Sequence, residues 1–81
     1  MRLDKFLKVS RLIKRRTIAN EACDAGRVEV NGHAARASYE VKIGDILVLS
    51  FGSTRLKAEV LAVSEHVTKE GAALMYQIID P

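Results

Sequence analysis

Tryptophan is absent from this 81-residue chain, and proline and cysteine occur once each. The single cysteine, Cys23, excludes an internal disulfide, and an unpaired thiol fits a reducing compartment. No segment has the Pro, Gly or Ser bias of a linker, so one ordered domain is expected over 1–81. Aromatic residues are few: Phe6, Tyr39, Phe51 and Tyr76 stand far apart in apolar contexts. That arrangement suits core packing and excludes the stacking platform of single-strand RNA binders. The five glycines, at 26, 32, 44, 52 and 71, never form GxxG or GxGxxG, which removes the usual signatures of KH domains and dinucleotide sites. No apolar run approaches the roughly 20 residues that cross a bilayer, and the basic start is not followed by the apolar stretch of a secretory signal. A cytoplasmic protein, neither secreted nor membrane-spanning, is expected.

Residues that carry catalytic chemistry are equally sparse. His33 and His66 are isolated, and His66 with Glu70 could set two ligands on one helical turn, short of the three or four that zinc needs. Cys23 shares a helix face with Ile18 and Ala22, where a small buried hydrophobe is the expected role rather than a nucleophile. Glu21 and Asp24 read as solvated neighbours. The expectation is a protein that is not an enzyme, with no cofactor and no metal.

Positive charge, by contrast, is concentrated. Residues 1–36 carry nine Lys or Arg against four acids, a balance of +5, while residues 37–81 carry four against six, a balance of −2. A modest net charge of +3 thus conceals a polarised molecule. A polyanion suits such a surface, because each phosphate neutralised by Lys or Arg releases condensed counterions.

Leu3, Phe6, Leu7 and Ser10 recur at three-and-four spacing and predict an amphipathic helix, with Lys5 and Lys8 on its outer side. Asp4 lies in the first turn, favoured by the helix dipole and able to pair with Lys8. After Lys14-Arg15-Arg16, Thr17 opens or caps a second helix whose Ile18, Ala22 and Cys23 face one way, and Gly26 stops it. The period then changes to two: Val28 and Val30 point one way, Arg27 and Glu29 the other. Asn31-Gly32 predicts a type I′ hairpin, with a return strand over about 33–37. After the Gly44-Asp45 turn, the run 46–51 predicts a buried strand; a further strand runs through Leu56, Ala58 and Val60, and a last one covers Met75 to Ile79 after a turn at Glu70-Gly71. The fold class is α+β: an N-terminal helix pair packed on a small, mostly antiparallel sheet.

Arg2-Leu3-Asp4-Lys5-Phe6-Leu7, Arg16 with Ala19 after it, and Gly26-Arg-Val-x-Val-Asn-Gly32 followed by Val41-x-x-Gly44-Asp45 together resemble the αL RNA-binding fold. That family is named for the fourth protein of the small ribosomal subunit. The match covers residues 1–50 in order and spacing. Within the family, the run from Met1 to Thr17 and the ending Ala73-x-Met75-Tyr76 are most similar to compact bacterial ribosome quality-control factors. The resemblance implies binding to a separated large subunit that still holds peptidyl-tRNA, with contacts to large-subunit rRNA and to the P-site tRNA. It also implies support of an RqcH-type partner protein in alanine tailing, by a monomer with no membrane partner. A heat-shock-type relative that recycles blocked large subunits is similar but bears a longer basic C-terminal extension. The same domain also occurs as an appendage of RNA-modifying enzymes, against which stands the absence of any catalytic portion. A binder of anionic membranes would need Phe6 and Leu7 exposed, whereas their spacing buries them.

The candidate RNA-contacting residues are Arg2, Lys5, Lys8, Lys14, Arg15, Arg16 and Arg27, with Arg2 and Arg16 at the family's motif positions. Arginine suits the task because its planar fork grips phosphate in a bidentate manner and stacks on bases. Asp4 would repel phosphate if it faced RNA, so its expected role is to orient Arg16 or another arginine; pairing with Lys8 is the alternative.

Overall fold

The computed structural model describes residues 1–79, so the lone proline lies outside the described residues. Two helices, α1 (Leu3–Val9) and α2 (Arg16–Asp24), precede strands β1 (Val28–Val30), β2 (His33–Ala34), β3 (Ile46–Phe51) and β4 (Thr54–Val60). A short helix α3 (Lys69–Ala73) and strand β5 (Tyr76–Ile78) complete the order. The five strands form one sheet in the order β2-β1-β3-β4-β5, antiparallel throughout.

The register follows from the turns. Asn31 and Gly32 both have positive φ, +53° and +88°, the pair of left-handed conformations that a type I′ hairpin needs, and Val30 pairs with His33 across them. Leu47 pairs with Val30 and with Ala58, and Leu49 with Val28 and Leu56, which places these side chains on one face of the sheet. That face is closed by Leu3, Phe6 and Leu7 of α1 and by Ala19, Ala22 and Cys23 of α2, all buried. Complete burial of three large side chains from one seven-residue helix stabilises the fold by about 1.5–3 kcal/mol each, and fixes how α1 turns its other side to solvent.

The segment between β2 and β3 holds the start of α1 in place. The Leu3 amide donates to the Tyr39 carbonyl at 2.8 Å, and the Val41 amide to the Met1 carbonyl at 2.9 Å. Arg2 therefore leaves the body of the protein at a backbone position pinned on both sides.

Four expectations need correction. Ile18 is 47% exposed: the inward stripe of α2 is Ala19, Ala22 and Cys23, at three-and-four spacing, and Ile18 precedes it by about 100° of helical rotation. The return strand β2 stops at Ala34 because the chain leaves the sheet to pin α1. Phe51 ends β3 with 42% of its surface exposed and is not a core residue. Glu70-Gly71 lies inside α3, a helix of five residues capped by Thr68, whose Oγ1 accepts from the Gly71 amide at 3.1 Å. A turn-prone dipeptide conceals so short a helix. His66 precedes it, so His66 and Glu70 do not share a helical turn.

Candidate nucleic-acid interface

Asp4 is the hub of the basic face. It lies in the first turn of α1, and its carboxylate is almost wholly buried between the two helices. Arg2 Nε donates to Oδ1 at 3.2 Å and Arg2 Nη2 to Oδ2 at 3.3 Å, a bidentate fork. Arg16, the first residue of α2, donates from Nη2 to Oδ1 at 3.5 Å, and Asn20, one turn on, donates from Nδ2 to Oδ2 at 3.2 Å. The Lys5 amide supplies a fifth donor at 2.8 Å to Oδ1. Burial pushes the Asp4 carboxyl up, but the donors from Asn20, Arg2, Arg16 and the Lys5 amide outweigh it and hold the group below its ordinary value. The carboxylate stays charged, and Lys8 takes no part in the cluster.

This arrangement sets two guanidiniums side by side over one buried anion. Their side chains remain 49% and 48% exposed, and each guanidinium carries five N–H donors, so several still point outward. A pair of fixed, half-exposed forks that one carboxylate only half neutralises has the charge and free donors to accept phosphate oxygens.

The other predicted cations are distributed around this pair. Lys14 and Arg15 are exposed at the bend before α2 and make no ion pair among the described residues. Lys8 is exposed on the outer side of α1. Lys5 Nζ meets Glu65 Oε1 at 2.9 Å, a surface pair that draws the Glu65 carboxyl below its ordinary value through that hydrogen bond and the lysine charge. Arg27 lies beyond the far end of α2, where its amide bonds the Ala22 carbonyl at 2.9 Å, and is not gathered with Arg2 and Arg16. The Asn31 side chain is engaged internally: it donates to Asp45 Oδ1 at 3.1 Å and accepts from the Ile46 amide at 3.0 Å.

Two residues escaped the reading of the sequence. Asn20 stands between buried Ala19 and exposed Glu21, and only the packing of α2 on α1 shows that it completes the Asp4 shell. Arg11 stands immediately after α1 and its C-cap Ser10 with φ of +65°, a left-handed conformation that costs a non-glycine residue about 1–2 kcal/mol. The spacing Arg2, Lys5, Lys8, Arg11, every third residue, was the available signal.

Cys23 is buried, and burial, with the charges of Asp4 and Asp24, pushes its thiol up to about 11. At neutral pH it is a packed thiol, not a thiolate. No group of three or more His, Cys, Asp or Glu that could hold a metal occurs among the described residues, and no helix there is long and apolar enough to cross a membrane.

A helix pair that carries arginines over a buried aspartate, followed by a hairpin sheet, defines the class, and residues 1–47 match the S4 domain. The chain is 55% identical, over 96% of its length and 89% of the relative's, to the RQC P-site tRNA stabilizing factor (RqcP) of Halalkalibacterium halodurans. It belongs to this family of S4-domain factors. A more distant relative, the heat shock protein 15 homolog of Haemophilus influenzae, is 34% identical over 95% of this chain and 60% of its own. Among solved structures, trimeric Vibrio cholerae heat shock protein 15 superposes with a TM-score of 0.89 at 29% identity, covering 98% of this chain and 81% of that one.

Proposed function

We propose that this protein acts in ribosome-associated quality control, binding the large ribosomal subunit and holding P-site tRNA there. The observation that carries the reading is the Arg2–Asp4–Arg16 cluster in a chain 55% identical to an RQC P-site tRNA stabilizing factor. The proposed mechanism is electrostatic clamping. Arg2 and Arg16 contact phosphates directly, Asp4 positions both, and Lys5, Lys8, Lys14, Arg15 and Arg27 widen the field to large-subunit rRNA. Because Phe6 and Leu7 are buried, the helix pair behaves as a rigid body, and a contact to rRNA with one end and tRNA with the other restricts the bound tRNA without any chemical step.

On this reading the protein is a non-enzymatic, cytoplasmic monomer without a cofactor that supports an RqcH-type partner in alanine tailing. The much higher identity to the stabilizing factor than to the heat shock protein 15 homolog favours it over a subunit-recycling role. Cosedimentation of purified protein with large subunits that carry or lack P-site tRNA tests it. Preference for loaded subunits, lost in Arg16→Ala and Arg2→Ala at unchanged melting temperature, is expected. Equal binding to loaded and empty subunits overturns the clamp.

A further inference from the structure

The geometry points to a second phosphate-binding site at the C-terminal end of α1, formed by Arg11 and Lys8, that takes a backbone phosphate of the same bound RNA; it rests on the RNA-binding reading above. Arg2 stands before and Arg11 beyond the seven helical residues of α1, about 10 Å of rise, so Arg11 cannot share the phosphate held at the Asp4 cluster. Lys8 lies in the last turn of α1 and Arg11 directly follows its C-cap Ser10, so both cations border the same end of the helix.

Three observations single out Arg11. Its φ of +65° is a conformation that glycine adopts freely and arginine does not, at the helix-ending position where glycine is the usual occupant. Its side chain makes no hydrogen bond or ion pair among the described residues. With Lys8 and His66 it lines a hollow of about 240 Å3 between the end of α1 and the segment before α3.

Two features that would repel an anion are already neutralised. Glu65 also borders the hollow, but its carboxylate is engaged by Lys5 at 2.9 Å. Three carbonyls near the end of α1 are occupied too. Lys8 accepts from the Arg11 amide at 3.1 Å, Leu7 from the Ile13 amide at 3.1 Å, and Phe6 from the Ser10 amide at 2.8 Å. A cation at a helix C-terminus is also favoured by the helix dipole, an account that gives Arg11 a purely stabilising role.

Arg11→Gly separates the two accounts, because it removes the side chain at a φ that suits glycine. Affinity for purified large ribosomal subunits carrying P-site tRNA is measured across a salt series, beside thermal melting. The expected result is a Tm equal to or above that of the unaltered protein, with affinity several-fold lower. The slope of log affinity against log salt falls by about 0.7–0.9, the loss of one phosphate contact, and Arg11→Lys restores most of both. Unchanged affinity and slope in Arg11→Gly overturns the site, as does weaker binding at an unchanged slope. Absence of binding by the unaltered protein overturns instead the RNA-binding reading itself, a result distinct from any difference between variants.

Discussion

At the scale of the residue, Asp4 carries the most consequence. It is an acid within a basic face, yet its burial and its five donors make it the reason that Arg2 and Arg16 stand together. Asp4→Asn keeps the shape but weakens charge-assisted bonds, and should destabilise the fold by about 1–3 kcal/mol while reducing subunit binding as much as an arginine variant does. Its folded carboxyl titrates below the ordinary value, near 3.9 in an unfolded chain. Its contribution is therefore complete above about pH 3.9 and is lost as pH falls through the folded value. Denaturant titrations between pH 7 and pH 3 should show the unaltered protein losing more stability than Asp4→Asn; parallel curves contradict the assignment. Asp45, which accepts from Lys42, Asn31 and Tyr39 and is likewise held low, contributes the same trend in both proteins. Cys23 offers a simpler check: with its thiol raised to about 11, alkylation at neutral pH should be slow until denaturant exposes it.

At the scale of the element, the β1–β2 hairpin and the lysine row of α1 are separable. Gly32 at φ +88° meets open space, so a side chain there is opposed by backbone conformation rather than by a clash. Gly32→Val should cost about 1–2 kcal/mol, lowering Tm by roughly 4–8 °C per kcal/mol in a domain of this size. A melting temperature equal to the parent's would contradict the turn. On α1, Glu65→Gln releases Lys5 from its surface partner. Such pairs contribute little to stability, so the variant should melt as the parent does, and bind subunits equally or slightly more tightly; a clear loss of binding would mean that the Lys5–Glu65 pair holds Lys5 in its RNA-binding position.

For the whole molecule, polarity is the decisive property. Basic residues crowd the helix pair, while acids predominate from residue 37 onward, so the molecule meets a polyanion in one orientation. The six cations Arg2, Lys5, Lys8, Lys14, Arg15 and Arg16 should give a steep salt dependence, about 0.7–0.9 in slope per phosphate neutralised. Affinity should be higher for subunits that carry tRNA, since the second contact becomes intramolecular once the first is made. A flat salt series removes the electrostatic account.

Much of this was legible in the residues alone. The three-and-four spacing of Leu3, Phe6 and Leu7 determined the buried side of α1, and Asn31-Gly32 determined the hairpin, because each rests on local stereochemistry that neighbours along the chain fully specify. The family motif likewise marked Arg2 and Arg16. What only the tertiary structure decided is how these parts meet. Ile18 is more apolar than Ala19, yet a helix rotation set by packing against α1 put Ala19 inside. Asn20 joins the Asp4 shell across a helix interface that no local pattern encodes. Arg27, inside the Gly26–Gly32 motif, is left beyond the far end of α2, while Arg11 is set beyond the end of α1 by a left-handed turn. Local propensity acts over one or two turns of chain; which charges share a surface depends on packing between segments distant in sequence.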